Sequence, residues 1–267
     1  MGENNNYLKV NLDAWNKRTE VHINSEFYDN PAFISGKNSL PPTDRRLLGD
    51  IKGLKVLHLQ CHFGQDTISL SRLGANVTGV DLSNRAIEEA NKLAELCQSD
   101  TRFICSDVYS LPNIHQDSYD IVYTSYGTIG WLPDIKQWAS IISHFLKPGG
   151  KLIFVEFHPV LWMYDNDFNY VQYSYFNSSP IIETEAGTYA DQTADIHAEM
   201  ITWNHSLSEV ITALLDNGIE IEVMEEQNYS PYNCFKDMTE IGEQQFILNK
   251  FGNKIPMVYA LKGIKKG

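Results

Sequence analysis

Cysteine is scarce, at 4 in 267 residues, and Cys61, Cys97, Cys105 and Cys234 form no C-x-x-C pair. That argues against a disulfide framework or a zinc site, and the four read as buried thiols in a reducing cytoplasm. No apolar run approaches the roughly 20 residues of a membrane span. The first ten residues, MGENNNYLKV, hold no apolar core of a secretion signal. Basic residues are also few, 21 Lys and Arg against 34 Asp and Glu, for a net charge of −13. A nucleic-acid surface needs clustered Lys and Arg, and so does binding to an anionic membrane, so neither partner is expected. Internal repeats are missing, and so is any G-x-G-x-x-G turn.

What is present is an ordinary globular composition, 43% apolar and 21% charged, ample for a large core. From about Lys55, short β-branched runs alternate with amphipathic helical segments, the signature of βαβ units and a parallel sheet. Strands are expected at Lys55–Gln60, Asn76–Asp81, Arg102–Asp107, Asp120–Tyr126 and Lys151–Phe157. Ser83 reads as the N-cap of a helix whose inner face is Ala86, Ile87, Ala90, Leu93, Ala94 and Cys97. Pro133 is placed as the first residue of a helix lined by Ile135, Trp138, Ile141, Ile142 and Phe145. Between His158 and His205 the pattern blurs into Tyr, Asn, Ser and Asp, which reads as an insertion. A helix opened by Ser206 and strands at Ile219–Glu226 and Pro256–Gly263 complete the chain.

Ligands of an open parallel sheet bind at the carboxyl ends of its strands. Gln60-Cys61-His62-Phe63-Gly64 follows the first strand, Asp81 ends the second, and Asp107 ends the third. An acid about 20 residues beyond the first loop suits a ribose diol. His58 and His62 sit on a strand and a turn, where a four-residue spacing does not converge, so no metal site is expected.

These residues carry a family resemblance. VLHLQCHFGQD (Val56–Asp66), Asp81 in GVDLS, Asp107 in CSDV and LKPGGKLIFVE (Leu146–Glu156) resemble the class I S-adenosylmethionine-dependent methyltransferases. The resemblance implies an α/β, doubly wound, mostly parallel seven-stranded sheet. It implies S-adenosyl-L-methionine as cofactor and methyl transfer to a small-molecule acceptor. The cofactor would be held by Leu59, Gln60, Cys61, His62 and Gly64 at the methionyl end and by Asp81 on the ribose. Leu82 would lie beside the adenine, Asp107 and Val108 would read its amine and edge, and Ser125 and Tyr126 would face the methyl. The family's usual D-x-G-x-G-x-G becomes His58, Gln60, His62 and Gly64 here, so one glycine remains. The loop resembles a branch with L-Q-C-H-x-G.

The expected organisation is one methyltransferase domain: an N-terminal cap over 1–42, a core over 43–159, a lid over 160–205, and the last helix and strands over 206–267. His158 and, second, His205 are the candidate general bases. The aromatics of the cap and insertion should cover the cofactor, with a homodimer interface as the other way to bury them. Two alternatives stand beside methyl transfer: a non-catalytic binder of the same cofactor, and a nicotinamide-dependent oxidoreductase.

Overall fold

A computed structural model describes residues 6–267, so the first five positions of the N-terminal cap lie outside the described residues. The chain runs α1 (Asn6–His22), α2 (Asn30–Ile34), α3 (Pro42–Leu48), β1 (Lys55–Leu59), α4 (Gln65–Arg72), β2 (Asn76–Asp81) and α5 (Asn84–Leu96). It continues through β3 (Arg102–Cys105), α6 (Leu111–Ile114), β4 (Tyr119–Ser125), α7 (Ile135–Phe145) and β5 (Leu146–Phe157). The rest is β6 (Ile181–Ala186), β7 (His197–Thr202), α8 (Leu207–Asp216), β8 (Ile219–Gln227), β9 (Met238–Gly242), β10 (Gln245–Leu248) and β11 (Val258–Lys265).

Seven strands form one sheet in the order β3-β2-β1-β4-β5-β11-β8. The first five pair in parallel, and β11 runs antiparallel between β5 and β8. The α/β doubly wound expectation is therefore met. Strand order reverses between β1 and β4, which opens a crevice at their carboxyl ends.

Residues Val56 to Leu59 are all buried because both faces of the sheet are covered. Leu57 and Leu59 pack with Trp138, Ile142 and Leu214 on one side. Val56, with Tyr123 and Val155, packs against Leu47, Leu48 and Leu70 on the other. The Ser83 hydroxyl accepts from the Ala86 N–H at 2.9 Å and caps α5 as expected. Pro133 stands two residues before α7, whose N-cap is Asp134, accepting from the Gln137 N–H. A carboxylate cap displaces the proline from the first helical position.

The 160–205 stretch has more order than its composition suggests, since β6 and β7 pair as a separate two-stranded sheet. A second excursion, between β8 and β11, carries the β9–β10 hairpin, which the sequence pattern did not reveal. The thiols also need correction. Cys61 is buried, Cys97 and Cys234 are half-buried, and Cys105 is exposed at the edge strand β3.

Helix α1 buries a polar face: Asn11, Arg18, Thr19 and His22, with Ala14. Asn11 acts as a strand partner to β7. Its amide donates to the Ile201 carbonyl at 2.8 Å, and its carbonyl accepts from the Ile201 N–H at 2.9 Å. Asn11→Ala removes both bonds and should destabilise the protein by about 1–3 kcal/mol. Urea unfolding reads this as a lower midpoint, and an unchanged midpoint would show that the clasp is dispensable.

Candidate active site

A cleft of about 970 Å³ occupies the crevice. Its floor is the carboxyl ends of β1, β2 and β4, and its roof comes from α1, the β6–β7 insertion and residues 231–236. Ten of the eleven expected cofactor residues line it: Gln60, Cys61, His62, Gly64, Asp81, Leu82, Asp107, Val108, Ser125 and Tyr126. Leu59 does not. It shares the face of Leu57 and points into the core, as the two-residue period of a strand requires.

The loop after β1 is built from left-handed backbone. Gln60 has φ +55°, His62 φ +51° and Gly64 φ +86°. These are the positions where the family pattern puts glycine, so the conformation has outlived the residue type. A Cβ at Gly64 would lie 2.6 Å from the Phe103 ring, which explains why glycine persists there. At Gln60 and His62 the side chains must offset strain of roughly 1 kcal/mol each. The Gln60 amide donates to the Thr128 carbonyl at 2.8 Å. His62 Nε2 and His22 Nδ1 are hydrogen-bonded at 2.8 Å. Burial, reinforced by the Arg18 charge, pulls the His62 pKa down to about 3. Burial and the His62 and Arg18 charges pull His22 far below the usual imidazole range, so the pair is neutral.

Asp81 ties this loop to β2. Its Oδ2 accepts from the His62 N–H at 2.7 Å and its Oδ1 from the Ser83 N–H at 2.8 Å. Burial raises its pKa to about 6, against the lowering effect of these backbone donors. Asp107 accepts from the Tyr109 and Ser110 N–H groups, both at 3.0 Å. Glu156, at the end of β5, is buried and accepts from the N–H groups of Gly127, Thr128, Ile129 and Phe157. It thereby shapes the wall after β4.

His158 and His205 fall outside the cleft lining. His158 is 3% exposed, with Nδ1 accepting from the Val160 N–H at 3.2 Å and Nε2 3.0 Å from the Glu226 carboxylate. His205 is equally buried, its Nε2–H donating to the Leu132 carbonyl at 2.8 Å. Both rings brace the loops that follow their strands. Sequence reasoning missed Arg18, His22 and Tyr232, while Tyr28 and Tyr189 belong to the cap and insertion aromatics expected over the cofactor. A buried polar stripe at Asn11, Arg18 and His22, spaced seven and four apart, was the available signal for the first two.

A family model described as a methyltransferase domain matches residues 56–150. The demethylmenaquinone methyltransferase of Lactococcus lactis is 33% identical over 126 residues, which is 45% of this chain and 49% of that protein. The ubiquinone biosynthesis O-methyltransferase of Coxiella burnetii is 35% identical over 104 residues, 39% of this chain and 44% of the relative. The chain thus spans about half the length of the curated relatives it matches. An S-adenosylmethionine-dependent methyltransferase from Mesorhizobium loti superposes with a TM-score of 0.58 at 18% identity, covering 87% of this chain and 100% of that one. Geranyl diphosphate C-methyltransferase from Streptomyces coelicolor, solved with Mg2+, geranyl-S-thiolodiphosphate and S-adenosylhomocysteine, gives 0.54 at 14% identity, covering 84% and 75%.

Residues 56–150 thus match a methyltransferase domain, and the fold as a whole is similar to that of solved methyltransferases. The loop after β1 carries side chains at two left-handed positions, and there the strain can be tested. Gln60→Gly and Gln60→Ala both lose the bond to Thr128, but only alanine keeps a Cβ at φ +55°. Gln60→Gly should be the more stable of the two by about 1 kcal/mol, against the usual preference for alanine. Equal stabilities in chemical denaturation would remove the left-handed strain from the account.

Proposed function

We propose that this protein transfers a methyl group from S-adenosyl-L-methionine to a small-molecule acceptor. The observation that carries the reading is the placement of Asp81 and Asp107, at the ends of adjacent strands β2 and β3, in one cleft with the left-handed loop after β1. Unpartnered atoms fit the same cofactor. Gln60 Oε1, an acceptor, and Arg18 Nε, a donor, are buried with no hydrogen-bond partner among the described residues, and both side chains belong to the cleft. An α-ammonium and an α-carboxylate supply the complementary groups.

On this reading Asp81 accepts from the ribose hydroxyls, and Leu82 lies beside the adenine. Asp107 and Val108 meet the adenine amine and ring edge. Gln60, Cys61, His62 and Gly64 approach the methionyl end, with Ser125 and Tyr126 toward the methyl. The cofactor, once bound, supplies a methyl group already activated on a sulfonium. The chain's own work is then alignment and exclusion of water, which favours an enclosed, aromatic roof. The described part of the N-terminal cap (1–42) and the insertion (160–205) serve as that roof, over a core of 43–159 completed by 206–267. The net charge of −13 favours a small acceptor over nucleic acid. The four free cysteines accord with a cytoplasmic location.

Calorimetric titration with S-adenosylhomocysteine tests the reading, with NAD as the control that should not bind. Asp81→Ala should weaken binding roughly tenfold to a hundredfold, the loss of charge-assisted hydrogen bonds. The Asp81 carboxyl, with its pKa near 6, accepts best when ionised. Affinity in the parent should therefore fall as pH drops through about 6, and Asp81→Asn should flatten that step. Parental affinity in folded Asp81→Ala would refute the assignment.

A further inference from the structure

Beyond the cofactor residues, one region of the cleft has a chemistry of its own. Phe27, Tyr28, Tyr126, Tyr189 and Tyr232 all line it, together with the carboxylate of Asp66. The rings come from four separate segments yet touch in sequence. Tyr126 and Tyr232 have centroids 5.1 Å apart, Tyr232 and Phe27 5.9 Å, Phe27 and Tyr189 5.5 Å, and Phe27 and Tyr28 5.1 Å. The Tyr28 and Tyr189 hydroxyls are hydrogen-bonded to each other, joining the cap to the insertion. Aromatic walls of this kind bind organic cations through their ring faces.

Asp66 supplies the negative charge. It stands in the first turn of α4, and its Oδ1 accepts from the Ser39 hydroxyl at 2.6 Å. Among the described residues it makes no ion pair. The cations that line the cleft each have their own carboxylate: Arg18 has Glu185, Lys37 has Asp29, and Lys236 has Asp167. Below the wall, the other nearby carboxylate, Asp44, has both oxygens occupied by the Tyr123 and Tyr126 hydroxyls, at 2.6 and 2.8 Å. The Asp66 charge is felt at Tyr28, Tyr189 and Tyr232, where, after burial, it helps to raise the hydroxyl pKa values. A carboxylate in a desolvated aromatic chamber with no resident cation is costly unless a ligand brings one.

We propose that this chamber is the acceptor subsite and that the acceptor is an organic amine, bound as its ammonium against Asp66 and the five rings. The inference rests on the methyltransferase reading above. It does not follow from the family model, whose match over residues 56–150 contains only Tyr126 and Asp66 of the six. The transfer balances. An ammonium N–H passes its proton to the Asp66 carboxylate, the freed nitrogen pair forms the N–CH3 bond, and the C–S bond breaks with its electrons going to sulfur. Burial raises the Asp66 pKa, with the Ser39 hydroxyl opposing, which suits a group that must hold that proton.

The test uses the full chain saturated with S-adenosylhomocysteine and titrates phenethylamine, tetramethylammonium, 2-phenylethanol and phenylacetate by calorimetry. Both cations should bind at least tenfold more tightly than the alcohol or the carboxylate. Asp66→Asn keeps an acceptor for Ser39 and should abolish that preference, and Tyr232→Leu should weaken the cations alone. No preference for cations in the parent, or an undiminished preference in Asp66→Asn, overturns the proposal. So does a loss of S-adenosylmethionine affinity in Asp66→Asn with S-adenosylhomocysteine affinity unchanged, because Asp66 would then answer the sulfonium. Failure of S-adenosylhomocysteine itself to bind strikes the methyltransferase reading instead.

Discussion

The site hangs on the carboxylate of Asp81. One oxygen receives the His62 N–H and the other the Ser83 N–H. A single side chain thus joins the loop after β1 to the start of α5. Hydrogen bonds to a charged acceptor contribute about 1.5–3 kcal/mol each. That exceeds the roughly 1 kcal/mol of left-handed strain at each of Gln60 and His62. The Cys61 N–H adds a bond to the Val80 carbonyl at 2.9 Å. With the loop fixed from β2, its conformation no longer depends on glycine, and side chains can occupy the left-handed positions 60 and 62. Gln60 and His62 use that freedom to reach across the cleft, one to the wall after β4 and the other to α1.

Glu156 plays the corresponding part on the opposite wall. A buried carboxylate without a cation is tolerated when backbone N–H groups surround it, and Glu156 collects four of them. The turn they define, Gly127 to Ile129, presents the Thr128 carbonyl to Gln60. Both walls are therefore set by carboxylates that accept from the backbone, and Gln60 spans the gap between them. A shift of either wall would be transmitted to the other through that one amide.

How much of this was legible in the sequence follows from which residues obey a period. The strands and α5 were readable because apolar residues repeat at two or 3.6 positions, and the acids at strand ends stood out against them. Leu59 was misplaced because it was counted with the loop, whereas the strand's alternation commits it to the core with Leu57. His158 and His205 come just after regular elements, and adjacency in sequence was a poor guide to which side of the backbone they face. The polar face of α1 escaped notice because a search for apolar stripes cannot see a helix held by Asn11 and Arg18. The β9–β10 hairpin was missed for a similar reason: most of its side chains are at best half-buried, so its composition carries little alternation.

The cap is better understood as a layer of the fold than as a loose cover. Phe33, 1% exposed, packs with Phe63, Ile68 and Leu93, so α2 completes the core above α4 and α5. Helix α1 is bound to the β6–β7 sheet by Asn11, by the Arg18–Glu185 pair and by Tyr7 against Trp203 at 5.3 Å. Cap and insertion are thereby tied into one unit, and separate closure of either would break buried polar contacts.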